Sequence, residues 1–447
     1  MRLVLPARPE TLLVLSFGGL IAAGTILLGL PFSQTHGAVS WIDCLFVATS
    51  AVCVTGLSTV DVSSAFTRTG HTVILLLIQF GGLGIMTFAA AAFQFFNARI
   101  SVSSHGALQE SFFQPEARHR LRVAFRGILV ATLAAEAIGA LLIYASIPAD
   151  RGGLFEAVFH SVSAFCNAGF ALYSGNLVDV REHQLAVWTI AGLIVLGGIG
   201  YSVIFEAGYR AAMWLRKKRP TPMVWSLNAK VVIRVSVLLI LGGTAALFFA
   251  GTGADDGIGP GLWHSLFQSI SARTAGFNTL DIGKLPVTAL LVLVALMFIG
   301  GSPGSCAGGI KTTSLAVGAA GAYAGMVGHE HISLFGRRVP QDVLQRTGLV
   351  IGLAMFWQVL GVFILVLTES VGSAGAPRLE EVIFEQVSAF NTVGLSANLT
   401  PELSTAGKLW ITLSMFAGRL GPLTMALAVF KRPAPRYQYP VERVMIG

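Results

Sequence analysis

Four short segments share a residue pattern that could coordinate a cation through the protein backbone. Each has Asp, His or Glu three residues before a phenylalanine and reaches a glycine nine or ten residues after it. Glycine allows backbone angles that aim carbonyl oxygens in one direction, which a Cβ atom would oppose. Rings of such oxygens can replace the water around a desolvated ion. The segments are 43–57, 156–170, 264–277 and 381–395, and their glycines are Gly56, Gly169, Gly276 and Gly394.

A second glycine motif follows each segment at a similar distance. It begins 25, 28, 24 and 24 residues after the first glycine. Two markers that recur four times in register indicate an internal repeat of about 110 residues. Each unit is predicted to contain a long helix, a short helix, a glycine loop and a second long helix. The motifs are GGLG at 81–84, GGIG at 197–200, GGSPG at 300–304 and GRLG at 418–421.

The composition indicates that these units lie in a membrane. Of the 447 residues, 54% are hydrophobic and 12% are charged, and mean hydropathy is +0.72, whereas soluble domains carry about 25% charge. Eight apolar segments could each cross a bilayer as a helix, near 11–31, 71–96, 123–147, 184–213, 231–250, 286–327, 344–368 and 405–430. Runs of this length without alternation exclude an outer-membrane barrel.

The predicted fold class is therefore an all-α integral membrane protein of four tandem helix–pore loop–helix repeats. Eight helices span the membrane, four short helices are re-entrant, and the repeats have pseudo-four-fold symmetry. The boundaries are 1–98 for repeat 1, 120–216 for repeat 2, 226–330 for repeat 3, 340–432 for repeat 4 and 433–447 for a cytoplasmic tail.

The basic residues predict the orientation. Net charge is +8, and 21 of the 30 Lys and Arg residues lie at the ends of segments that share one side. That side is predicted to be cytoplasmic, with both chain termini inside. The charge is explained by topology rather than by a nucleic-acid partner. Docking of a cytosolic partner on the basic loops is a second, compatible interpretation.

Four equivalent loops favour a pore for a monovalent cation, most simply K⁺. Non-helical backbone at membrane depth must be buried in protein or line a wet cavity, and each short helix would point its negative end at the ion. With one glycine in each loop, we expect fewer stacked ion sites than in channels with two. The alternatives are four turns used only for packing, or an alternating-access carrier for a small solute. No nucleophile elbow or H-E-x-x-H motif occurs, so no enzyme activity is predicted.

One predicted helix is too long to remain unbroken. As a single helix, 286–327 would measure about 60 Å, twice the thickness of a bilayer core. Its glycines and proline favour a break at membrane depth. The resulting loop is predicted to be a gate, with a passive kink as the alternative. The predicted gate residues are Gly300, Gly301, Ser302, Pro303, Gly304, Ser305, Cys306, Ala307, Gly308, Gly309, Lys311 and Arg419.

Arg419 aligns with a glycine in the other three motifs. A cation at this depth is costly and usually faces the protein interior or a cavity, so we interpret it as an electrostatic barrier beside the loop. The alternatives are a structural pair with Glu136 or Glu206, or hydrogen bonds to loop carbonyls. Lys311 could play a similar part or extend its amine toward the membrane surface.

The chain resembles the Trk/Ktr/HKT superfamily of K⁺ transporters and is most similar to the Ktr-type membrane subunit. The resemblance covers essentially the whole chain, and the matching motifs are SAVCVTGL (50–57), SAFCNAGF (163–170), SARTAGFNT (271–279), SAFNTVGLS (388–396) and GGSPGSCAGGIKTTS (300–314). The resemblance implies that 300–309 obstructs the pore. It also implies that the ion is lined by Val54, Thr55, Gly56, Asn167, Ala168, Gly169, Thr274, Ala275, Gly276, Thr392, Val393 and Gly394.

The resemblance further implies K⁺ preference over Na⁺, because all four glycines are present. It implies Na⁺ stimulation, a homodimer in the cell (inner) membrane surrounded by lipid, and a ring of cytosolic nucleotide-binding regulatory subunits. No covalently bound cofactor is expected. The third loop departs from the pattern with Arg273 where the others have Cys53, Cys166 and Asn391. Its charge is expected to face the ion or an acid behind the loop.

Overall fold

The computed structural model describes residues 9–35, 39–83, 121–148, 152–217, 225–253, 257–329, 331–372 and 377–421. Within these ranges the chain is almost entirely helical, and its strands form a single hairpin, β1 (Ser333–Leu334) with β2 (Arg337–Arg338). The prediction of a helical fold is confirmed. Predictions about the N-terminal arginines, the basic loop within 84–120 and the tail at 433–447 lie outside the described residues.

The helices are grouped by the four predicted units. Unit 1 contains α1 (Pro9–Gly29), α2 (Trp41–Cys53), α3 (Val62–Ala65) and α4 (Arg68–Gly82). Unit 2 contains α5 (Leu121–Ser146), α6 (Leu154–Cys166), α7 (Gln184–Ile199) and α8 (Tyr201–Leu215). Unit 3 contains α9 (Leu227–Phe249), α10 (Ile258–Ser271), α11 (Val287–Phe298) and α12 (Thr312–Val327). Unit 4 contains α13 (Gln341–Gly372), α14 (Leu379–Phe390) and α15 (Thr405–Leu420). Single 3₁₀ turns occupy Pro31–Ser33, Val178–Val180, Ile282–Lys284 and Thr400–Glu402.

In units 2 and 4, the glutamate three residues before the buried phenylalanine caps the start of the short helix. Glu156 Oε2 accepts a hydrogen bond from the Gly153 N–H at 2.9 Å, and Glu381 Oε2 accepts one from the Arg378 N–H at 3.1 Å. Such bonds satisfy N–H groups that have no partner within the helix. The recurrent phenylalanines are fully buried and anchor the short helices in the core; they are Phe46, Phe159, Phe267 and Phe384.

The units pack in a closed cycle. The helix that follows each loop packs on the short helix of the next unit: α4 on α6, α7 on α10, α11 on α14 and α15 on α2. The last contact joins unit 4 to unit 1, and there Lys408 Nζ lies 2.8 Å from Asp43 Oδ1. Large apolar side chains such as Leu141, Leu238 and Phe363 are exposed on the outside, as in a protein surrounded by lipid.

Hydrogen bonds also join neighbouring units in the segments that follow the loops. Ser174 Oγ donates to Asp61 Oδ2 at 2.8 Å between units 2 and 1, and Asn398 Nδ2 donates to Asp281 Oδ1 at 3.1 Å between units 4 and 3. Burial opposes ionisation of both carboxyls, but their hydrogen bonds outweigh it. The pKa of each therefore lies below its ordinary value.

The second helices, as far as the structure describes them, are short. They are 15, 16, 12 and 16 residues long and stop at or beside the second glycine motif. By length and hydropathy, three described helices could each cross a membrane, and α7 with α8 could form a bent fourth span. The sequence analysis predicted a break only in the second helix of unit 3. This is wrong, because the segment 184–213 is also broken: α7 and α8 meet at 104° across Gly200, whose φ is 90°.

The first glycine of the second motif allows very close packing. A Cβ on Gly81, Gly197 or Gly418 would collide with a carbonyl oxygen near the end of the short helix in the same unit, that of Val52, Phe165 and Phe390, respectively. In unit 3, a Cβ on Gly300 would instead meet the carbonyl of Gly308, inside the interrupted helix. These glycines therefore serve helix contact as well as helix termination.

This contact predicts a difference between two glycines of α7. Gly197→Ala should lower the free energy of unfolding by about 1–3 kcal/mol, because the added methyl group overpacks the contact. At Gly192, no neighbouring atom lies within 4 Å of the position that a Cβ would take. Gly192→Ala should therefore be neutral or stabilise the helix by about 0.5–1 kcal/mol. Thermal unfolding of the purified variants in one detergent checks both. Equal stability of the two variants would contradict the packing role.

Candidate ion-coordinating site

Each loop begins with a residue in the left-handed backbone region. This residue lies two positions before the loop glycine, and the φ values are 56° for Val54, 60° for Asn167, 70° for Thr274 and 51° for Thr392. The conformation is uncommon for any residue other than glycine, and it is an outlier for β-branched ones. Backbone strain of this kind persists only where the surrounding structure holds it, and it clusters at functional sites.

The four loops meet in the same cyclic order as the units. A Cβ on Gly56 would collide with the carbonyl oxygen of Ala168, and one on Gly169 would press on that of Ala275. Likewise, a Cβ on Gly276 would collide with the carbonyl of Val393, and one on Gly394 with that of Thr55. Every loop glycine therefore faces the carbonyl that precedes the next loop glycine. All twelve residues predicted to line an ion belong to these four neighbouring turns.

One serine in each short helix holds its loop, and the sequence analysis did not assign it this role. It lies four residues after the buried phenylalanine. Ser50 and Ser388 accept hydrogen bonds from the N–H groups of Gly56 and Gly394 at 3.0 and 3.1 Å. In the other two units the serine donates to the carbonyl after the glycine: Ser163 to Phe170 at 2.8 Å, and Ser271 to Phe277. The constant spacing of four residues between phenylalanine and serine is the sequence signal that could have identified this role.

The interrupted helix of unit 3 breaks as predicted. Between α11 and α12, residues 299–311 form a loop whose base is closed by a parallel bridge between Ile299 and Ile310. The Gly300 N–H donates to the Ile310 carbonyl at 2.9 Å, and the Thr312 N–H donates to the Gly301 carbonyl at 3.1 Å. The two ends of the interrupted helix are therefore held together.

The tip of this loop contacts the motif ends of the other three units. In unit 2, the N–H groups of Ser302 and Cys306 donate to the carbonyls of Gly198 and Gly197 at 3.1 and 3.2 Å. In unit 1, Cys306 Sγ donates to the Gly82 carbonyl at 2.9 Å. In unit 4, Arg419 donates to the Cys306 carbonyl. The loop therefore bridges the ends of the second helices on all sides.

Arg419 links two units through backbone oxygens. Its guanidinium donates to the carbonyls of Cys306 and Gly81. Of the alternatives, hydrogen bonding to loop carbonyls is therefore the arrangement observed, and the two carboxylate pairings are wrong. Glu136 instead accepts from Gln79 at 3.2 Å, and Glu206 accepts from Arg210 at 3.2 Å and from Ser226.

Lys311 and Arg273 occupy different surroundings. Lys311 Nζ donates to the Ala307 carbonyl at 2.6 Å, so its amine folds back on the loop and does not extend to the membrane surface. Arg273 is nearly buried and donates to Ser236 Oγ on α9 at 3.0 Å. It lines a small cavity with Ile194 and Ile270. The expected acid behind the loop is not among the partners that the structure describes for Arg273.

Comparisons with known proteins agree with this geometry. A family model described as TrkH, cation transport protein, matches residues 12–252 and 258–438. The Ktr system potassium uptake protein B of Vibrio alginolyticus is 36% identical over 98% of this chain and 94% of its own length. Its Bacillus subtilis counterpart is 35% identical over 98% and 97%. The potassium/sodium uptake protein NtpJ of Enterococcus hirae is 32% identical over 98% and 97%.

A solved structure shows the same fold. The potassium transporter TrkH from Vibrio parahaemolyticus superposes with a TM-score of 0.72 at 19% identity, covering 96% of this chain and 86% of that one. The resemblance to the Trk/Ktr/HKT superfamily is confirmed, and so is the prediction that the chain is not an enzyme. The family match over nearly the whole chain places this membrane protein in the TrkH family of cation transport proteins.

Proposed function

We propose that this chain carries K⁺ across the cell (inner) membrane through one pore formed by its four units. The units are the repeats bounded by 1–98, 120–216, 226–330 and 340–432, with eight spanning helices and four re-entrant short helices around a pseudo-four-fold axis. The observation that carries the proposal is the closed cycle in which each loop glycine faces the carbonyl of the next loop. Carbonyl oxygens that converge in this way can replace the hydration shell of a monovalent cation.

The twelve loop residues are proposed as the ion filter. The short helices end at these loops, so their negative ends favour a cation there. The buried hydroxyls of Thr55, Thr274 and Thr392 have no hydrogen-bond partner among the described residues. Buried polar groups are normally paired, so these oxygens are free to coordinate an ion or its water.

The identity of the ion follows from the relatives. Two full-length relatives are named potassium uptake proteins, and a third is named a potassium/sodium uptake protein. We therefore propose K⁺ as the transported ion and Na⁺ as a stimulating ion. An alternating-access carrier is less well supported, because all four loops contribute alike to one cycle.

Residues 300–309, with Lys311 and Arg419, are proposed as the gate. The loop is fastened to the second-helix ends of the other three units, so it lies across any passage that they surround. The two cations beside it oppose the entry of K⁺ into the same space. Opening requires the loop tip to leave these partners.

Regulation is proposed to come from a separate subunit. The relatives belong to Ktr systems, which supports a homodimer on a cytosolic ring of nucleotide-binding subunits. The basic side of the chain, with both termini, then faces the cytoplasm.

Uptake of K⁺ by K⁺-transport-deficient cells tests the proposal directly. Cells that express the chain should grow at low K⁺, and uptake should rise when a candidate regulatory subunit and Na⁺ are both present. Expressed, membrane-inserted protein that supports no K⁺ uptake under any of these conditions would contradict the function.

Substitution of a loop glycine tests the filter. Gly276→Ser and Gly394→Ser should each lower the preference for K⁺ over Na⁺ by about tenfold, equal to about 1.4 kcal/mol, because the new side chain displaces the carbonyl of Val393 or Thr55. Competition between K⁺ and Na⁺ for uptake measures the ratio, and Gly192→Ser on α7 is the matched control. An unchanged ratio in both loop variants would count against the filter assignment.

Removal of Arg419 tests the gate. Arg419→Ala should raise K⁺ flux several-fold, because it removes a positive charge and frees the Cys306 carbonyl. Arg419→Lys keeps the positive charge but loses the forked guanidinium. It therefore separates the repulsion of K⁺ by the charge from the hydrogen bonds that hold the loop. Flux through purified protein in vesicles is the measurement. A well-folded Arg419→Ala variant without flux would indicate a structural role instead.

A further inference from the structure

The residue that follows the buried phenylalanine differs among the four short helices. Val47, His160, Gln268 and Glu385 occupy this position, called here the brace position. All four residues are buried, at most 1% exposed. Burial of a polar side chain costs free energy unless hydrogen bonds compensate it. The partners of these side chains therefore indicate what the position does.

Glu385 binds the chain just after the fourth loop. Its Oε1 accepts hydrogen bonds from the Ala397 N–H at 3.1 Å and from the Ser396 hydroxyl, and its Oε2 accepts one from Thr400 Oγ1 at 2.7 Å. Ala397 is the third residue after Gly394. The N–H of the third residue after each loop glycine is called here the exit amide.

His160 holds the equivalent exit amide in unit 2. Its Nδ1 lies 2.7 Å from the Glu156 carbonyl, which can only accept, so Nδ1 carries the proton. Its Nε2 then accepts a hydrogen bond from the Leu172 N–H at 3.2 Å. Leu172 is the third residue after Gly169. Two chemically different side chains thus bind the same backbone group in units 2 and 4.

Units 1 and 3 do not use this bond. Val47 has no group that can accept a hydrogen bond, and both polar atoms of the Gln268 amide are without a partner among the described residues. Unit 3 instead has His264 Nδ1 at 3.0 Å from the side-chain hydroxyl of Thr279, three residues after Gly276. Because the units follow one another in a cycle, the two braced loops are opposite each other.

We propose that His160 and Glu385 are positioning residues that hold the exit amides of two opposite loops and thereby set the K⁺ selectivity of the pore. The inference rests on the proposed function and deepens it. Asn167 and Thr392 in these loops have left-handed backbone angles that require support. The short-helix serine binds the backbone at the loop glycine in unit 4 or just after it in unit 2. The brace position binds the backbone three residues after the glycine, so the two bonds together fix where the carbonyl oxygens of the loop lie. The filter therefore has two-fold rather than four-fold mechanical symmetry.

The test compares variants at the brace position. Glu385→Leu and His160→Leu remove the acceptor and should each lower the K⁺ over Na⁺ ratio in competitive uptake by about tenfold. Glu385→Gln and His160→Gln keep an acceptor oxygen and should retain the ratio within about threefold. Gln268→Leu is the matched control at the same position and should leave the ratio within about twofold.

A second measurement does not depend on transport. Hydrogen exchange in the purified full chain should quicken by about tenfold at the exit amides of Leu172 and Ala397 in the respective leucine variants, and should be unchanged there in Gln268→Leu. Folded leucine variants with wild-type exchange and selectivity would overturn the proposal, as would a Gln268→Leu variant with the same losses. If hydrogen exchange at the exit amides is faster in the leucine variants but the wild-type chain takes up no K⁺, the hydrogen bonds of His160 and Glu385 are confirmed and the proposed function is refuted.

Discussion

The structure depends on the contact of bare backbone with bare backbone at the loop glycines. Four loops can converge only where no Cβ separates one turn from the carbonyl oxygen of the next. A methyl group at any of these positions would push two units apart. Each second helix packs on the short helix of the next unit in the same cyclic order. The helix packing and the loop contacts therefore fix the same arrangement of the four units.

Support for the loops comes from the short helices that precede them. Each short helix is anchored by a fully buried phenylalanine. The chain turns left-handed one to three residues after each helix ends. A serine on its last turns then binds the loop backbone. Because each short helix continues directly into its loop, the packing of the helix in the core also restrains the carbonyl oxygens of the loop.

Much of this arrangement could be predicted from the sequence, because it depends on residues that repeat. The short helices and the loop glycines recur in every unit, and the break in unit 3 is marked by the length of its apolar segment and by its glycines and proline. The bend at Gly200 was not predictable, because GGIG resembles the motifs of the other units and glycines alone predict no direction of the chain. The partner of Arg273 was also unpredictable, because a hydroxyl oxygen that accepts from a cation has no sequence signature. For Arg419, hydrogen bonds to loop carbonyls were one of the alternatives, but the sequence could not decide among them.

The closed base of the loop at 299–311 has an energetic consequence. The bridge between Ile299 and Ile310 keeps both halves of the helix in place. Displacement of the tip therefore breaks the six hydrogen bonds that the segment from Ser302 to Cys306 makes with the described residues of other units. At about 0.5–1.5 kcal/mol for each hydrogen bond, release of the loop tip costs about 3–9 kcal/mol. A partner that binds only the released form, with micromolar affinity, supplies about 8 kcal/mol, which is comparable with the cost of release.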